Sequence, residues 1–261
     1  MNDNKLYKKK IRDLYEEEAI IKQDALFRIY NGNIKNEVAK IPFWAAYFLK
    51  IKQIWLEKIL AKYIKENFMI LDAGCGQGYL SKKCAYKNCR IYGIDISFNY
   101  LKIAINRNNS GVFIQGDILN LPFKDKSFDI LVCSEVLEHI PDPEKSLEEI
   151  KRVTRRLFIS TVPILPKILD DFRLKIQKER LFVPGKGHIR NFQVKPYLET
   201  LITKGFKIKI VQGIGFLWWL FSWFAIKDNK KMEYISKIDA FFSNIKILRT
   251  LVIDLGVVAE L

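Results

Sequence analysis

The sequence predicts an α/β fold in which a doubly wound, mostly parallel sheet of seven strands carries helices on both faces. Three observations support this prediction. From residue 68 onward, buried-type apolar segments alternate with helix-type segments, which is the pattern of strand–helix–strand units. The first apolar segment runs directly into a turn that contains Gly74, Gly76 and Gly78. The 261 residues are 49% hydrophobic, which suffices for a large core.

The seven predicted strands share a high content of Ile, Leu, Val and Phe. They span residues 68–74, 90–96, 112–117, 128–134, 157–162, 206–211 and 251–258. Helices are predicted from about Tyr79, from the capping residue Ser97 to residue 108, from the segment 141–144, and over 194–204. At a helix N-terminus, serine accepts a hydrogen bond from a free amide. Proline has no amide hydrogen that would need a partner, and acidic residues are stabilised by the helix dipole.

Two segments lie outside this alternation. Residues 1–66 are predicted to form an N-terminal helical cap on a domain that spans 67–261. An apolar insert at about 214–247 separates the last two strands, and its segment 216–226 contains three tryptophans that are followed by lysines. Aromatic rings beside lysines suit a membrane interface. Apolar helices are also commonly buried against protein, so both interpretations of the insert remain open.

The chain is basic, with 44 Lys and Arg against 29 Asp and Glu and a net charge of +15. A basic surface can meet an anionic membrane surface or nucleic acid. Nucleic acid is the less favoured partner, because no basic stripe is interleaved with aromatic residues. The N-terminus lacks the apolar core of a secretory signal, and the cysteine spacing is not that of a metal site. We therefore expect a cytoplasmic protein with reduced thiols, with peripheral membrane contact as an option.

Three aspartates indicate a cofactor site. Asp72, Asp95 and Asp117 each end one of the first three predicted strands, and a parallel sheet brings such ends to one crevice. An acid at the end of the second strand can accept hydrogen bonds from ribose hydroxyls. A carboxylate beside the glycine turn would repel a pyrophosphate but attract a cofactor with an ammonium and a sulfonium group. The residues therefore favour S-adenosylmethionine over a nicotinamide dinucleotide.

Four successive motifs resemble, in order and spacing, those of class I S-adenosylmethionine-dependent methyltransferases, in the group that methylates small molecules, lipids and quinones. The motifs are Ile70–Gly78, Gly93–Ser97, Gly116–Phe123 and Phe128–Pro143. The resemblance implies a Rossmann-like sheet with a cofactor half at 67–162 and an acceptor half at 163–261.

The same resemblance implies which residues bind the cofactor. Residues of the glycine turn would lie against its amino-acid part, the second-strand acid against the ribose, the third-strand acid at the adenine edge, and a serine near the methionine part. The implied residues are Asp72, Ala73, Gly74, Cys75, Gly76, Gln77, Gly78, Asp95, Ile96, Asp117, Ile118 and Ser134.

The chemistry at the methyl acceptor is less well specified. Glu135, Glu138 and His139 follow the fourth predicted strand and resemble the Glu-x-x-Glu-His motif of metal-assisted methyltransferases, with His188 as a further candidate ligand. One interpretation is a divalent metal that polarises a hydroxyl group, which is the less favoured option. A second makes His139, with Glu135, a base or positioning group for the acceptor. A third is a structural role, and all three remain open.

The expected function is S-adenosylmethionine-dependent methylation of a hydrophobic small-molecule or lipid-like acceptor, with oxygen as the expected acceptor atom. In-line displacement at a sulfonium methyl depends strongly on holding the acceptor close and aligned. An RNA methyltransferase, metal-assisted or not, and a non-catalytic cofactor-binding partner subunit are the alternatives. The oligomeric state is not predicted.

Overall fold

The computed structural model describes most of the predicted sheet domain and part of the N-terminal segment. The described residues are 9–10, 12–16, 43–80, 88–107, 111–164, 189–215, 237–243, 245 and 252–261. His188 and the tryptophan-rich segment 216–226 lie outside them.

Seven strands form one sheet in the order β3-β2-β1-β4-β5-β7-β6. The strands are β1 (Met69–Ala73), β2 (Arg90–Asp95), β3 (Gly111–Gln115), β4 (Phe128–Ser134), β5 (Thr154–Pro163), β6 (Lys207–Ile214) and β7 (Asp254–Glu260). The α-helices are α1 (Phe43–Tyr63), α2 (Phe98–Arg107), α3 (Pro143–Val153) and α4 (Val194–Thr203), and a 3₁₀ helix spans Leu137–His139. Strand β7 pairs antiparallel with both β5 and β6, while the other pairs are parallel. The predicted doubly wound, mostly parallel sheet is confirmed.

The central strands are apolar on both faces, because each face is covered by helices. Along β1, Ile70 belongs to one core cluster and Leu71 to the other, as the alternation of side chains in a strand requires. The same alternation holds in β4 for Ile130 and Leu131. Register pairs Ile70 with Ile130, so the two strands end side by side at the edge where the predicted site lies.

Helix α1, which belongs to the predicted N-terminal cap, packs directly on the sheet. Trp55 is 5% exposed and belongs to the core cluster that includes Ile70 and Val258. Its indole Nε1 donates to Gln212 Oε1 at 3.1 Å. A Cβ on Gly256 would lie 2.5 Å from the Trp55 ring, so the glycine makes room for the indole. These contacts fix the position of α1 against β6 and β7.

The predicted helix starts are confirmed at two places. Ser97 Oγ accepts from Tyr100 N at 3.2 Å at the start of α2. Asp142 Oδ1 accepts from Lys145 N at 3.0 Å, and Pro143 is the first residue of α3. In both helices the capping side chain therefore accepts a hydrogen bond from one of the free amides of the first turn.

Part of the predicted insert between the last strands is described. Residues 237–243 are helical, and the buried Asp239 accepts from Gly215 N at 2.9 Å, which ties this helix to the end of β6. Within the described ranges, no helix combines the length and the apolar character that a membrane crossing requires.

Candidate cofactor and acceptor site

A cavity of about 330 Å³ opens at the carboxyl ends of β1, β2 and β4, within the size range of small-ligand pockets. This is the edge at which parallel α/β sheets bind ligands. Its wall contains three carboxylates and no lysine or arginine among the described residues. The lining residues are Tyr15, Gly74, Cys75, Gly76, Gln77, Tyr79, Ile94, Asp95, Ile96, Tyr100, Gly116, Asp117, Ile118, Leu119, Glu135, Val136, His139, Ile140 and Pro141.

The glycine turn is held against the end of β2 by its own main chain. The amides of Gly74 and Cys75 both donate to Ile94 O, at 2.8 and 3.0 Å. Gly74 has φ +81°, and a Cβ there would lie 2.2 Å from Val136 Cγ2. Glycine is therefore required at residue 74 by both conformation and space. A Cβ on Gly76, in contrast, would meet no atom within 4 Å.

Asp95 connects the glycine turn to the start of α2. One carboxylate oxygen accepts from Gly76 N at 2.8 Å, and the other accepts from Ser97 N at 2.9 Å. Burial raises the pKa of Asp95 to about 6, although these backbone hydrogen bonds favour the charged form. The predicted ribose-binding acid thus lines the cavity and also shapes the turn beside it.

Asp72 lies behind the cavity wall and is buried. Its burial, reinforced by the charge of Asp95, raises its pKa to about 7. Two carboxylates that compete for protons form an environment in which a bound cation is stabilised. This matches the ammonium and sulfonium groups inferred from the sequence.

Some of the other predicted cofactor residues line the cavity, and some do not. Asp117 Oδ1 accepts from Leu119 N at 2.9 Å, which places Asp117 and Ile118 in a tight turn at the cavity wall. Cys75 lines the cavity with its thiol buried, and this burial raises the thiol pKa. Gly74, Gly76, Gln77 and Ile96 also line the cavity, whereas Asp72, Ala73, Gly78 and Ser134 do not.

Glu135, which follows β4, carries the carboxylate at the other end of the cavity. Its φ is +56°, a strained conformation for a residue with a side chain, and its amide donates to Thr161 O at 3.1 Å. Glu135 Oε1 accepts from Thr161 Oγ1 at 3.0 Å. Because the Thr161 proton is used there, Ser134 Oγ must donate to Thr161 Oγ1 across their 2.7 Å contact. Ser134 therefore supports Glu135 from behind the wall.

A lysine completes the surroundings of Glu135. Lys52 Nζ lies 2.7 Å from Glu135 Oε2 and 3.1 Å from Asp254 Oδ2. Burial, and then the charge of Glu135, raises the pKa of Asp254 to about 7, while Lys52 opposes this shift. Lys52 belongs to α1 and Asp254 begins β7, so residues distant in sequence meet at this carboxylate.

His139 and Tyr15 form the wall beside Glu135. The two rings meet edge to face with centroids 5.5 Å apart, and Tyr15 also lies 6.1 Å from the ring of Tyr100. Glu16, the next residue, accepts from Phe98 N at 2.6 Å and from Asn99 N at 3.0 Å. The N-terminal segment is thereby attached to the first turn of α2, directly over the cavity.

The candidate metal ligands are only partly brought together. His139 Nε2 lies 3.7 Å from Glu138 Oε1, but Glu138 is fully buried and does not line the cavity. Burial, followed by the charge of Glu135, raises the pKa of Glu138. Over the described part of the chain, no three His, Cys, Asp or Glu side chains are arranged to hold a metal ion. His188 lies outside that part.

Sequence reasoning missed Tyr15, Lys52, Tyr79 and Thr161. Tyr79 lines the cavity, and its hydroxyl donates to Glu57 of α1, which also accepts from Gln53 Nε2 at 2.7 Å. None of these residues lies in a recognisable motif. Helix α1 contains four lysines and one glutamate among its apolar residues. The available signal was that a buried charge requires a partner, but the sequence does not show which of these charges is buried.

Comparison with known proteins supports the same conclusion as the geometry. A family model described as a methyltransferase domain matches residues 71–157. An uncharacterised protein of Methanocaldococcus jannaschii is 31% identical over 182 residues, covering 69% of this chain and 74% of that protein. A ubiquinone biosynthesis O-methyltransferase of Coxiella burnetii is 30% identical over 126 residues, covering 43% of this chain and 54% of that enzyme.

Among solved structures, the magnesium protoporphyrin IX methyltransferase of Synechocystis PCC 6803, with S-adenosylhomocysteine bound, has the same fold. Its TM-score is 0.64 at 18% identity, and the alignment covers 97% of this chain and 99% of that one. The matched methyltransferase domain, the order of the seven strands and the acidic cavity beside the glycine turn all indicate the same family. The chain belongs to the class I S-adenosylmethionine-dependent methyltransferases.

Proposed function

We propose that this methyltransferase acts on a hydrophobic, uncharged small-molecule or lipid-like acceptor and methylates it at oxygen. The observation that carries the proposal is the composition of the cavity wall beside Glu135. That wall combines one carboxylate and one imidazole with Tyr15, Ile140 and Pro141, and no cationic side chain among the described residues lines it.

The charged side chains of the cavity wall support an uncharged acceptor. Asp95, Asp117 and Glu135 give the wall a negative potential, although the whole chain carries +15. An acceptor with a carboxylate or a phosphate near the transferred methyl group would be repelled at this short range. The chain is basic, but no lysine or arginine among the described residues lines the cavity wall. This disfavours an RNA acceptor, because RNA phosphates are bound by basic side chains.

The cavity wall also contains side chains that can accept a proton from a hydroxyl acceptor. A hydroxyl oxygen attacks the sulfonium methyl in line, the carbon–sulfur bond breaks with its electron pair leaving on sulfur, and S-adenosylhomocysteine forms. The hydroxyl proton must go to a base, and Glu135 and His139 are the two groups that line the cavity in a position to accept it. S-adenosylmethionine supplies the methyl group, and these side chains orient the acceptor and take its proton.

The relatives give limited support for oxygen as the acceptor atom. The Coxiella burnetii enzyme is named as an O-methyltransferase of ubiquinone biosynthesis, and the chain spans about half of its length. The acceptor class therefore depends on the cavity wall more than on this relationship.

The experiment uses methyl-labelled S-adenosylmethionine with an extract of the source cells, followed by separation into organic, RNA, protein and polar small-molecule fractions. A parallel reaction contains 4-decylcatechol, a hydrophobic and uncharged probe with two hydroxyl groups. We expect label in the organic fraction and a methyl ether of the catechol. Label confined to RNA would contradict the proposal, and tight S-adenosylhomocysteine binding without any labelled product would favour a non-catalytic subunit.

A further inference from the structure

Lys52 is the one lysine or arginine that is buried among the described residues, and it lies beside the cavity wall. It is 8% exposed and lies on α1, one turn before Trp55, which fixes that helix on the sheet. Residues three apart on a helix share a face, so docking of Trp55 also delivers Lys52 to the sheet edge. Its ammonium reaches Glu135 at 2.7 Å and Asp254 at 3.1 Å.

The charges around Lys52 explain why a cation is needed there. Glu135, Asp254 and the fully buried Glu138 form a group of carboxylates that interact strongly with one another. Buried carboxylates that lack a cation take up protons instead. Lys52 is the cation that Glu135 and Asp254 share, and its ammonium group ties the Glu135 carboxylate at the cavity wall to the start of β7.

Orientation is the second consequence of the contact. Lys52 binds Glu135 Oε2, and the Thr161 hydroxyl donates to Oε1, so each oxygen has one fixed partner. The left-handed backbone at Glu135 aims its side chain into this arrangement at some energetic cost. Strain of this kind persists only where the surroundings hold the residue in place.

We propose that Lys52 is a positioning residue for methyl transfer: it holds the Glu135 carboxylate in place at the cavity wall beside the acceptor, and thereby makes α1 part of the catalytic unit. The inference rests on the proposed function. As the acceptor oxygen attacks the methyl group, its proton passes to Glu135, and Lys52 keeps all of its own protons. Lys52 also holds the carboxylate oxygen that a divalent metal at Glu135 would need.

The test compares Lys52→Met with Lys58→Met, which removes the same charge from an exposed position on the same helix. We expect kcat with 4-decylcatechol to fall about a hundredfold or more in Lys52→Met, as loss of a general base does. The affinity for S-adenosylhomocysteine should stay within a few-fold of the wild-type value. Lys58→Met should match the wild type in both measurements.

A second variant covers the case in which Lys52→Met does not fold. Thr161→Val removes the other contact to Glu135 without changing any charge, and kcat should fall about tenfold at unchanged cofactor affinity. Parallel losses of kcat and cofactor affinity in the foldable variants would place Glu135 on the cofactor and overturn the inference. Loss of wild-type turnover on chelation would also overturn it, since Glu135 would then act through a metal.

The failure of this inference differs from failure of the proposed function. A wild-type protein that labels neither the catechol nor the organic extract removes both together. A wild-type protein that labels the catechol, with Lys52→Met and Thr161→Val equally active, removes the positioning role alone.

Discussion

The two ends of the cavity are built in different ways: the proposed cofactor end lies beside the glycine turn, and the proposed acceptor end lies beside Glu135. At the cofactor end, the glycine turn and Asp95 belong to consecutive strand–helix units, and the main contact joins residues only 19 positions apart. Backbone amides make most of its hydrogen bonds. At the acceptor end, Glu135 is held by side chains from α1 and β5, and Asp254 of β7 binds the same lysine. Local main-chain geometry therefore forms one end, and long-range side-chain contacts form the other.

This difference explains how the family can share a cofactor and vary the acceptor. The cofactor end needs particular residues at fixed short spacing, so its sequence pattern is recognisable. The acceptor end needs charge and shape, which several elements can supply in many ways. We therefore expect substitutions at the cofactor end to weaken cofactor binding and substitutions at the acceptor end to lower kcat.

The largest loss of stability is expected for Lys52→Met. It leaves the buried Asp254 and the half-buried Glu135 without their shared cation, and breaking a buried pair costs about 3–5 kcal/mol. Asp254, whose pKa is about 7, can protonate at lower pH and relieve part of this cost. Urea unfolding should therefore show a larger loss at pH 8 than at pH 6. Adding Asp254→Asn should recover part of the stability, and no recovery would contradict the shared-cation arrangement.

Gly74→Ala should have the next largest effect, at the opposite end. The positive φ costs about 1–2 kcal/mol, and the clash with Val136 adds about 1–3 kcal/mol. Thermal unfolding and S-adenosylhomocysteine titration measure the two consequences, and both should worsen. Gly76→Ala is the matched control for thermal unfolding, because its Cβ meets no protein atom within 4 Å and only the backbone cost applies to stability. Equal effects of both substitutions would show that the Val136 contact is unimportant.

Asp95→Ala should weaken S-adenosylhomocysteine binding by about 1–3 kcal/mol through lost hydrogen bonds, measured by calorimetry. Two backbone amides lose their acceptor, and the predicted ribose contact is lost with them. Asp117→Ala, at the next strand end, removes one turn hydrogen bond and should cost less. An unchanged affinity in Asp95→Ala would mean that the cofactor site is misplaced.

The smallest effect concerns pH. The pKa values of Asp95 and Asp72, about 6 and about 7, lie above the ordinary value, so the free protein binds protons there more tightly than the unfolded chain does. Their contribution to stability is present below pH 4 and is lost as the pH rises through 7. Cofactor binding has the opposite sign, because the cationic ligand favours the charged carboxylates.

Affinity for the cationic S-adenosylmethionine should therefore fall as the pH is lowered from 8 to 5, by about 1 kcal/mol, which is less than in Asp95→Ala because a protonated carboxyl group keeps its place and part of its hydrogen bonding. The measurement is a titration series at constant ionic strength. Asp95→Asn, which cannot ionise, should flatten the lower part of the curve. A pH-independent affinity in the wild-type protein would contradict a role for these carboxylates in cation binding.

The sheet and the position of the cavity at its strand ends could be predicted from sequence because their determinants are local. Apolar alternation located the seven strands, and the aspartates at strand ends located the crevice. Ser134 does not line the cavity, and its hydroxyl contacts Thr161 Oγ1 at 2.7 Å, so its place near the methionine part of the cofactor stays a prediction. Lys52 could not be assigned from sequence, because its partners are brought to it only by the packing of α1 on the sheet.

The most direct test of the account measures Asp95→Ala and Lys52→Met side by side, with S-adenosylhomocysteine affinity and catechol methylation as the two readouts. The account predicts that Asp95→Ala loses affinity and that Lys52→Met loses kcat while keeping affinity. Equal defects of both variants in both readouts would contradict the division of the cavity into a cofactor end and an acceptor end.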